Sequence, residues 1–148
     1  MESRDKQILD LAMEAGKTLL DAGAEIFRAE ETIQRIVKAY GIEKSNAFVM
    51  STGIFLTAEN KGQEIYAQVR HIPINSARLN TVAAVNQLSR EIVEGRYTVE
   101  EAWERLEAIK NMPGKKDFTR ILASGVGSAS FCYVLGGGIR DAAAAFLA

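Results

Sequence analysis

Arg28 and Glu30 have types and spacing that could recognise a small charged molecule. Ile26, Ile33 and Val37 mark the apolar face of the helix expected to carry them, and Glu30 falls inside that stripe, four residues after Ile26. A carboxylate on an apolar face calls for a cation from another element, because burying an isolated charge is very costly. Arg70 and Arg78, flanking a strand-to-helix turn, are the candidates. Arg28 lies about 200° around the helix from Glu30, so the two cannot share one contact. It is free to meet an anionic group such as a carboxylate, which a guanidinium binds in bidentate fashion. A surface pair with Glu25 or Glu31 is the structural alternative.

Ser51-Thr52-Gly53 offers two hydroxyls and a flexible backbone between two β-prone runs, where a carboxylate could be held or the strand simply broken. Ser51, the lone histidine His71 and Glu30 could in principle converge as a hydrolytic triad, but no G-x-S-x-G elbow surrounds Ser51. No catalytic residue is assigned, and His71 reads as an ordinary strand-end histidine. Glu100, Glu101, Glu104 and Glu107 crowd one helix without a second ligand type, which describes a solvated face and not a metal site. One cysteine, Cys132, and one histidine exclude an intrachain disulfide and make a Cys/His zinc site improbable. No cofactor is called for. Gly136-Gly137-Gly138 lacks the Lys-Ser/Thr of a phosphate loop and reads as a break in an apolar helix. Asp141 follows it, either as a functional charge at membrane depth or as a partner of Arg140.

The elements that must position these groups predict an α+β fold. Apolar residues at three- and four-residue steps from Ile8 to Tyr40 predict helix over residues 5–40, broken near Gly23 and ended by Gly41. Between residues 46 and 72, Phe48-Val49-Met50, Ile54-Phe55-Leu56 and the alternation Ile65, Ala67, Val69 predict a three-stranded antiparallel sheet. Asn60-Lys61-Gly62 turns between the last two strands, and Pro73 closes the third. Helix returns over 76–94, capped by Asn75 or Ser76, with Leu79, Val82, Val85, Leu88 and Ile92 on one face. Thr98-Val99-Glu100-Glu101 is a capping box opening a last body helix, whose stripe is Val99, Ala102, Trp103, Leu106 and Ile109.

Charge is unevenly spread. Residues 1–109 hold 13 basic and 17 acidic side chains, whereas Lys110, Lys115, Lys116 and Arg120 form a basic collar. Residues 121–139 carry no charge; as one helix they would span about 28 Å, near the thickness of a bilayer core. The expected organisation is a cytosolic body over 1–112, a basic linker over 113–120 and membrane segments over 121–148. The collar beside the apolar run places residues 1–117 in the cytoplasm, with bilayer entry near Phe118 to Ile121. Gly125, Ser128 and Cys132 form a small-residue face expected to pack on another membrane helix. A chain stopping inside an apolar segment suggests a fragment, or a subunit completed by a partner. Lys+Arg of 18 against Asp+Glu of 19 gives no global basic excess, so nucleic acid is not an expected partner.

Ala22-Gly23-Ala24 followed by Phe27-Arg28-Ala29-Glu30, Ser51-Thr52-Gly53-Ile54, Val69-Arg70, Ile92-Val93-Glu94-Gly95 with Thr98 and Glu101-Ala102, Leu106 to Pro113, and Gly136-Gly137-Gly138 with Asp141 recur in this order. In that order and spacing the chain resembles the bacterial threonine/serine exporter family, specifically its cytosolic N-terminal portion plus the first membrane segment. The resemblance implies an α+β domain joined to membrane helices in the bacterial inner membrane. It implies export of a small amino acid or organic acid, threonine and serine or a dicarboxylate such as succinate. It also implies a transmembrane partner domain or subunit, and the assembly is expected to be a homo-oligomer. Arg28, Glu30, Ser51, Thr52, Arg70, Arg78 and Asp141 are then candidates for substrate binding or gating, and Gly125, Ser128, Gly136, Gly137 and Gly138 for membrane helix packing. The alternatives are a soluble hydrolase-like enzyme and a regulatory binding module without substrate contact.

Overall fold

A computed structural model describes residues 3–60, 63–71, 77–113 and 117–147. The chain is α+β and divides into two compact units, Met1–Met112 and Pro113–Ala148.

The first unit is built around α1 (Ser3–Asp21). Its apolar residues include Leu9, Met13 and Leu20 as well as the expected Ile8, Leu11, Ala12, Ala15 and Leu19, and all of these are buried. An α-helix that is apolar nearly all round has to be surrounded. Here α2 (Ile26–Ala39), α3 (Leu79–Val93), α4 (Val99–Lys110) and the sheet strand β2 (Gly53–Asn60) all pack on it. The expected single apolar face is thus corrected to a central helix. Gly16 belongs to this packing: a Cβ there would fall 2.4 Å from Ile33 Cδ1, so its cost to the helix is exchanged for a close approach to α2.

The expected break stands at Gly23. The amide of Gly23 donates to Leu20 O (2.9 Å) and that of Ala24 to Leu19 O (2.9 Å), a Schellman closure. It needs the positive φ of 76° that glycine alone adopts freely, and a Cβ would also meet Ala77 at 3.1 Å.

β1 (Lys44–Met50), β2 and β3 (Gln63–His71) form the antiparallel sheet in the order β1-β2-β3. Ala47, Val49, Ile54, Leu56 and Ala58 are buried on its core face. The opposite face exposes the row Phe48, Phe55 and Val69, with the two phenyl rings 6.3 Å apart. Lys61, Gly62, Pro73, Asn75 and Ser76 lie outside the described residues.

α3 begins later than expected. Arg78 occupies the N-cap position without a side-chain cap, and its amide donates to Ala22 O (2.9 Å), which fixes the start of α3 against the α1–α2 turn. Leu79, expected on the buried stripe, is exposed in the first turn, and Thr81 is buried instead. The capping box of α4 is present: Thr98 N donates to Glu101 Oε2 (2.8 Å) and Glu101 N to Thr98 Oγ1 (3.3 Å). The Tyr40 hydroxyl, at the end of α2, donates to Tyr97 O (3.2 Å) and Thr98 O (3.1 Å). Burial and the charges of Glu100 and Glu101 push this phenol up to about 12, so it stays a donor throughout the physiological range.

The second unit holds α5 (Asp117–Val134) and α6 (Ile139–Leu147) packed as a hairpin. The expected break at Gly136-Gly137-Gly138 is present and divides the uncharged run over 121–139 between α5 and α6. Gly136, at φ 93°, closes α5 with bonds from Gly136 N to Tyr133 O (3.0 Å) and Gly137 N to Cys132 O (3.0 Å). α5 also takes in Asp117 and Arg120 of the expected linker. Among the described residues no helix is long and apolar enough to cross a membrane, so the expected spanning helix is not found. Phe118, Ile121, Phe131, Val134, Ile139 and Leu147 are nonetheless exposed, and α6 buries no residue fully.

Candidate functional site

Three of the expected site residues meet at one end of the sheet. Ser51 and Thr52 are the exposed two-residue turn between Met50 and Gly53. Gly53 pairs with His71 and Ile54 with Arg70, which brings the end of β3 beside that turn. Arg70 stands on the core-side face with Ile54, yet it is exposed because it sits at the strand end.

Arg28 and Glu30 do not join them. Arg28 Nε donates to Glu25 Oε2 (2.9 Å), and its guanidinium lies 5.7 Å from the Phe27 ring centre, so the surface pairing is the one realised. Glu30 is half-buried. Among the described residues it makes no hydrogen bond or ion pair, so the expected partnership with Arg70 or Arg78 is absent. The reason is helical phase. The buried face of α2 is Ala29, Thr32, Ile33, Ile36 and Val37, and Glu30 lies about 90° from its centre. Ile26, which had seemed to extend the stripe to Glu30, is exposed in the first turn. Arg28→Ala should therefore cost about 0.2–0.5 kcal/mol, and Glu30→Ala no more than about 0.5 kcal/mol. Thermal melts check both, and a loss several times larger for Glu30→Ala would mean that its carboxylate is paired after all.

Among the described residues no hydrogen bond connects Ser51, His71 and Glu30, and no group of His, Cys, Asp and Glu is arranged to hold a metal. Glu101 serves the capping box and Glu107 pairs with Lys110 (2.7 Å). In the second unit, Asp141 Oδ2 accepts from Gly138 N (2.9 Å) and closes the start of α6, in place of a pair with Arg140. Gly125 faces α6, where a Cβ would lie 2.8 Å from Phe146 O. Ser128 is exposed, and Ala129 takes the position expected for it on the face with Gly125 and Cys132. Gly137 approaches Cys132, where a Cβ would stand 2.7 Å from Sγ.

Two features were not foreseen. The first is a charged cluster joining α1 to α4. Lys110 Nζ lies 2.9 Å from Glu14 Oε1, and Lys17 Nζ 3.7 Å from the same oxygen. Burial pushes the Glu14 carboxyl up, but the Lys110 hydrogen bond and the charges of Lys110, Lys17 and Arg70 outweigh it and hold the group below its ordinary value. A depressed carboxyl stabilises the fold above its unfolded pKa, and that contribution disappears as pH falls through the folded value. Glu14→Gln should thus lower stability at pH 7 and narrow its gap to wild type in acid, as melts across that range would show. A gap that stays constant or widens in acid would contradict the pairing. The signal in the sequence was the half-buried line Asp10, Glu14, Lys17 on an otherwise apolar helix.

The second feature is Asp21 at the C-terminal end of α1. Its Oδ1 is buried and, among the described residues, has no hydrogen-bond partner. A carboxylate oxygen at the negative end of a helix favours a cation. It sits beside the turn where the Arg78 amide meets Ala22 O.

The chain is thus a body of helices and a three-stranded sheet packed on a central helix, followed by a helical hairpin with many large apolar residues exposed. A family model described as "Putative threonine/serine exporter" matches residues 10–148, and the chain belongs to that family. Membership groups it with transporters of amino-acid export, with small amino acids as substrate and a membrane as setting. No curated protein and no solved structure matches the chain.

Proposed function

We propose that residues 3–112 are the cytosolic body of an inner-membrane exporter of threonine or serine, receiving or gating the amino acid before it crosses. The observation that carries this reading is the junction of α1, α2 and α3. Asp21 offers a buried carboxylate oxygen that has no partner among the described residues there, and the Arg78 backbone is tied to Ala22 in the same turn. An α-amino acid carries an ammonium for Asp21 and a carboxylate for a guanidinium, Arg78 or Arg28. Succinate, the dicarboxylate option, has no ammonium to offer, so the junction favours the amino acid. The Ser51-Thr52 turn with Arg70, and Glu30, remain candidate gating positions, and Asp141 a candidate at the hairpin. The hairpin of α5 and α6 seats against a transmembrane partner domain or subunit, which its exposed apolar residues support.

Isothermal titration of the chain with threonine, serine and succinate tests the substrate role. Heat with threonine or serine that disappears in Asp21→Asn, and none with succinate, is the expected result. Binding of none of the three would leave the body a regulatory module and overturn the receiving role.

A further inference from the structure

Toward their C-terminal ends, α2 and α3 bound a cleft of about 260 Å3 lined by Arg35, Arg90, Val93 and Glu94. Arg90 lies about 18 Å along α3 from Arg78, so the cleft is separate from the Asp21 junction. Arg35 builds one wall. Its Nη1 donates to Oγ of the buried Ser89 (3.1 Å), across the two helices, and its Nη2 to Glu31 Oε1 (2.6 Å), which offsets its charge. Arg90 is different. Its Nη2 donates to the neutral Gln87 Oε1 (2.6 Å), and among the described residues no carboxylate stands within ion-pair distance of it. The neighbouring acids are engaged elsewhere: Glu94 with Arg96 (2.7 Å), and Glu91 with Gln87 (2.9 Å). The cleft thus holds a guanidinium still open to a carboxylate.

The other lining residues fix what else a ligand must carry. Val93 is 56% exposed and gives the cleft an apolar patch between Arg90 and Glu94. Glu94 is the C-cap of α3, where its own charge and the helix end both favour a cation. Its carboxylate has room for a second donor beside Arg96. A plain carboxylate is drawn to Arg90 and repelled by Glu94, and a dicarboxylate more so. Arg90 and Glu94 stand one turn apart on the same helix face, about 5–6 Å between Cβ atoms, a span that one small zwitterion can bridge. The volume falls below the roughly 300–1,000 Å3 of drug-sized sites, so the ligand has few heavy atoms. We propose that this cleft binds a free aliphatic α-amino acid, with its carboxylate on Arg90, its ammonium on Glu94 and its side chain against Val93. It is a second amino-acid site and does not rest on the threonine reading of the Asp21 junction.

Isothermal titration of the full chain in mild detergent with L-valine and L-leucine tests it. Both should bind. 3-Methylbutanoate, which lacks the ammonium, and 2-methylpropylamine, which lacks the carboxylate, should each bind about tenfold more weakly or worse. Arg90→Gln should weaken valine binding by about tenfold or more, and it should fold as wild type because Arg90 is exposed. Valine is read against Arg90→Gln and threonine against Asp21→Asn, so the two readings fail separately. No heat with either aliphatic amino acid, equal binding of 3-methylbutanoate, or unchanged valine binding in Arg90→Gln would each overturn the proposal.

Discussion

Gly125→Leu should abolish export by the assembled transporter while leaving the melting of the first unit unchanged. The backbone carbonyl of Phe146 would lie 2.8 Å from a Cβ at this position and its ring carbons 3.0 Å away, so α6 has to move to admit any side chain. Overpacking of this kind typically costs about 1–3 kcal/mol. The hairpin has little to set against that, because α6 buries no residue fully. Ser128→Leu is the contrasting variant. Ser128 is exposed, so the change leaves the hairpin intact and disturbs only a surface that a partner would cover. Threonine efflux and a melt monitored at Trp103, which lies in the first unit, read the two effects separately. Normal efflux with Gly125→Leu would show that close approach of α5 and α6 is not needed.

Leu19→Ala should remove about 2–5 kcal/mol from the stability of the first unit. Leu19 is fully buried on the central helix, where surrounding elements limit collapse into the cavity. A loss of that size is a large share of the stability of an ordinary domain. Denaturant unfolding followed at Trp103 measures it, and a change below about 1 kcal/mol would contradict the central placement of α1.

The sequence made the elements legible where a local rule governed them. The capping box at Thr98, the break at Gly23 and the three β-prone runs depend on neighbours a few residues away, and each is present, though Ile65 is an extra residue that interrupts the alternation of β3. What was not legible depends on which faces other elements cover. One apolar stripe was visible on α1, but Leu9, Met13 and Leu20 off that stripe are buried because four elements surround the helix. Ile26 and Leu79 fit their periodic faces but are exposed, and the buried faces of these helices begin instead with Ala29 and Thr81. That error of phase placed Glu30 inward. The Asp21 oxygen, without a partner among the described residues, has no local signature, because its burial arises only when α1 ends in a covered junction. The three glycines made the break in the apolar run legible, and a Schellman closure at Gly136 makes it, but length and absence of charge overstated the run, since among the described residues no helix is long and apolar enough to cross a membrane.

The most direct test of the account is threonine and serine efflux from preloaded cells lacking this chain, compared with the same cells after it is restored alongside its membrane partner. The account predicts slow efflux without the chain, recovery with it, and no recovery with Asp21→Asn. Equal efflux with and without the chain would contradict its place in an amino-acid exporter.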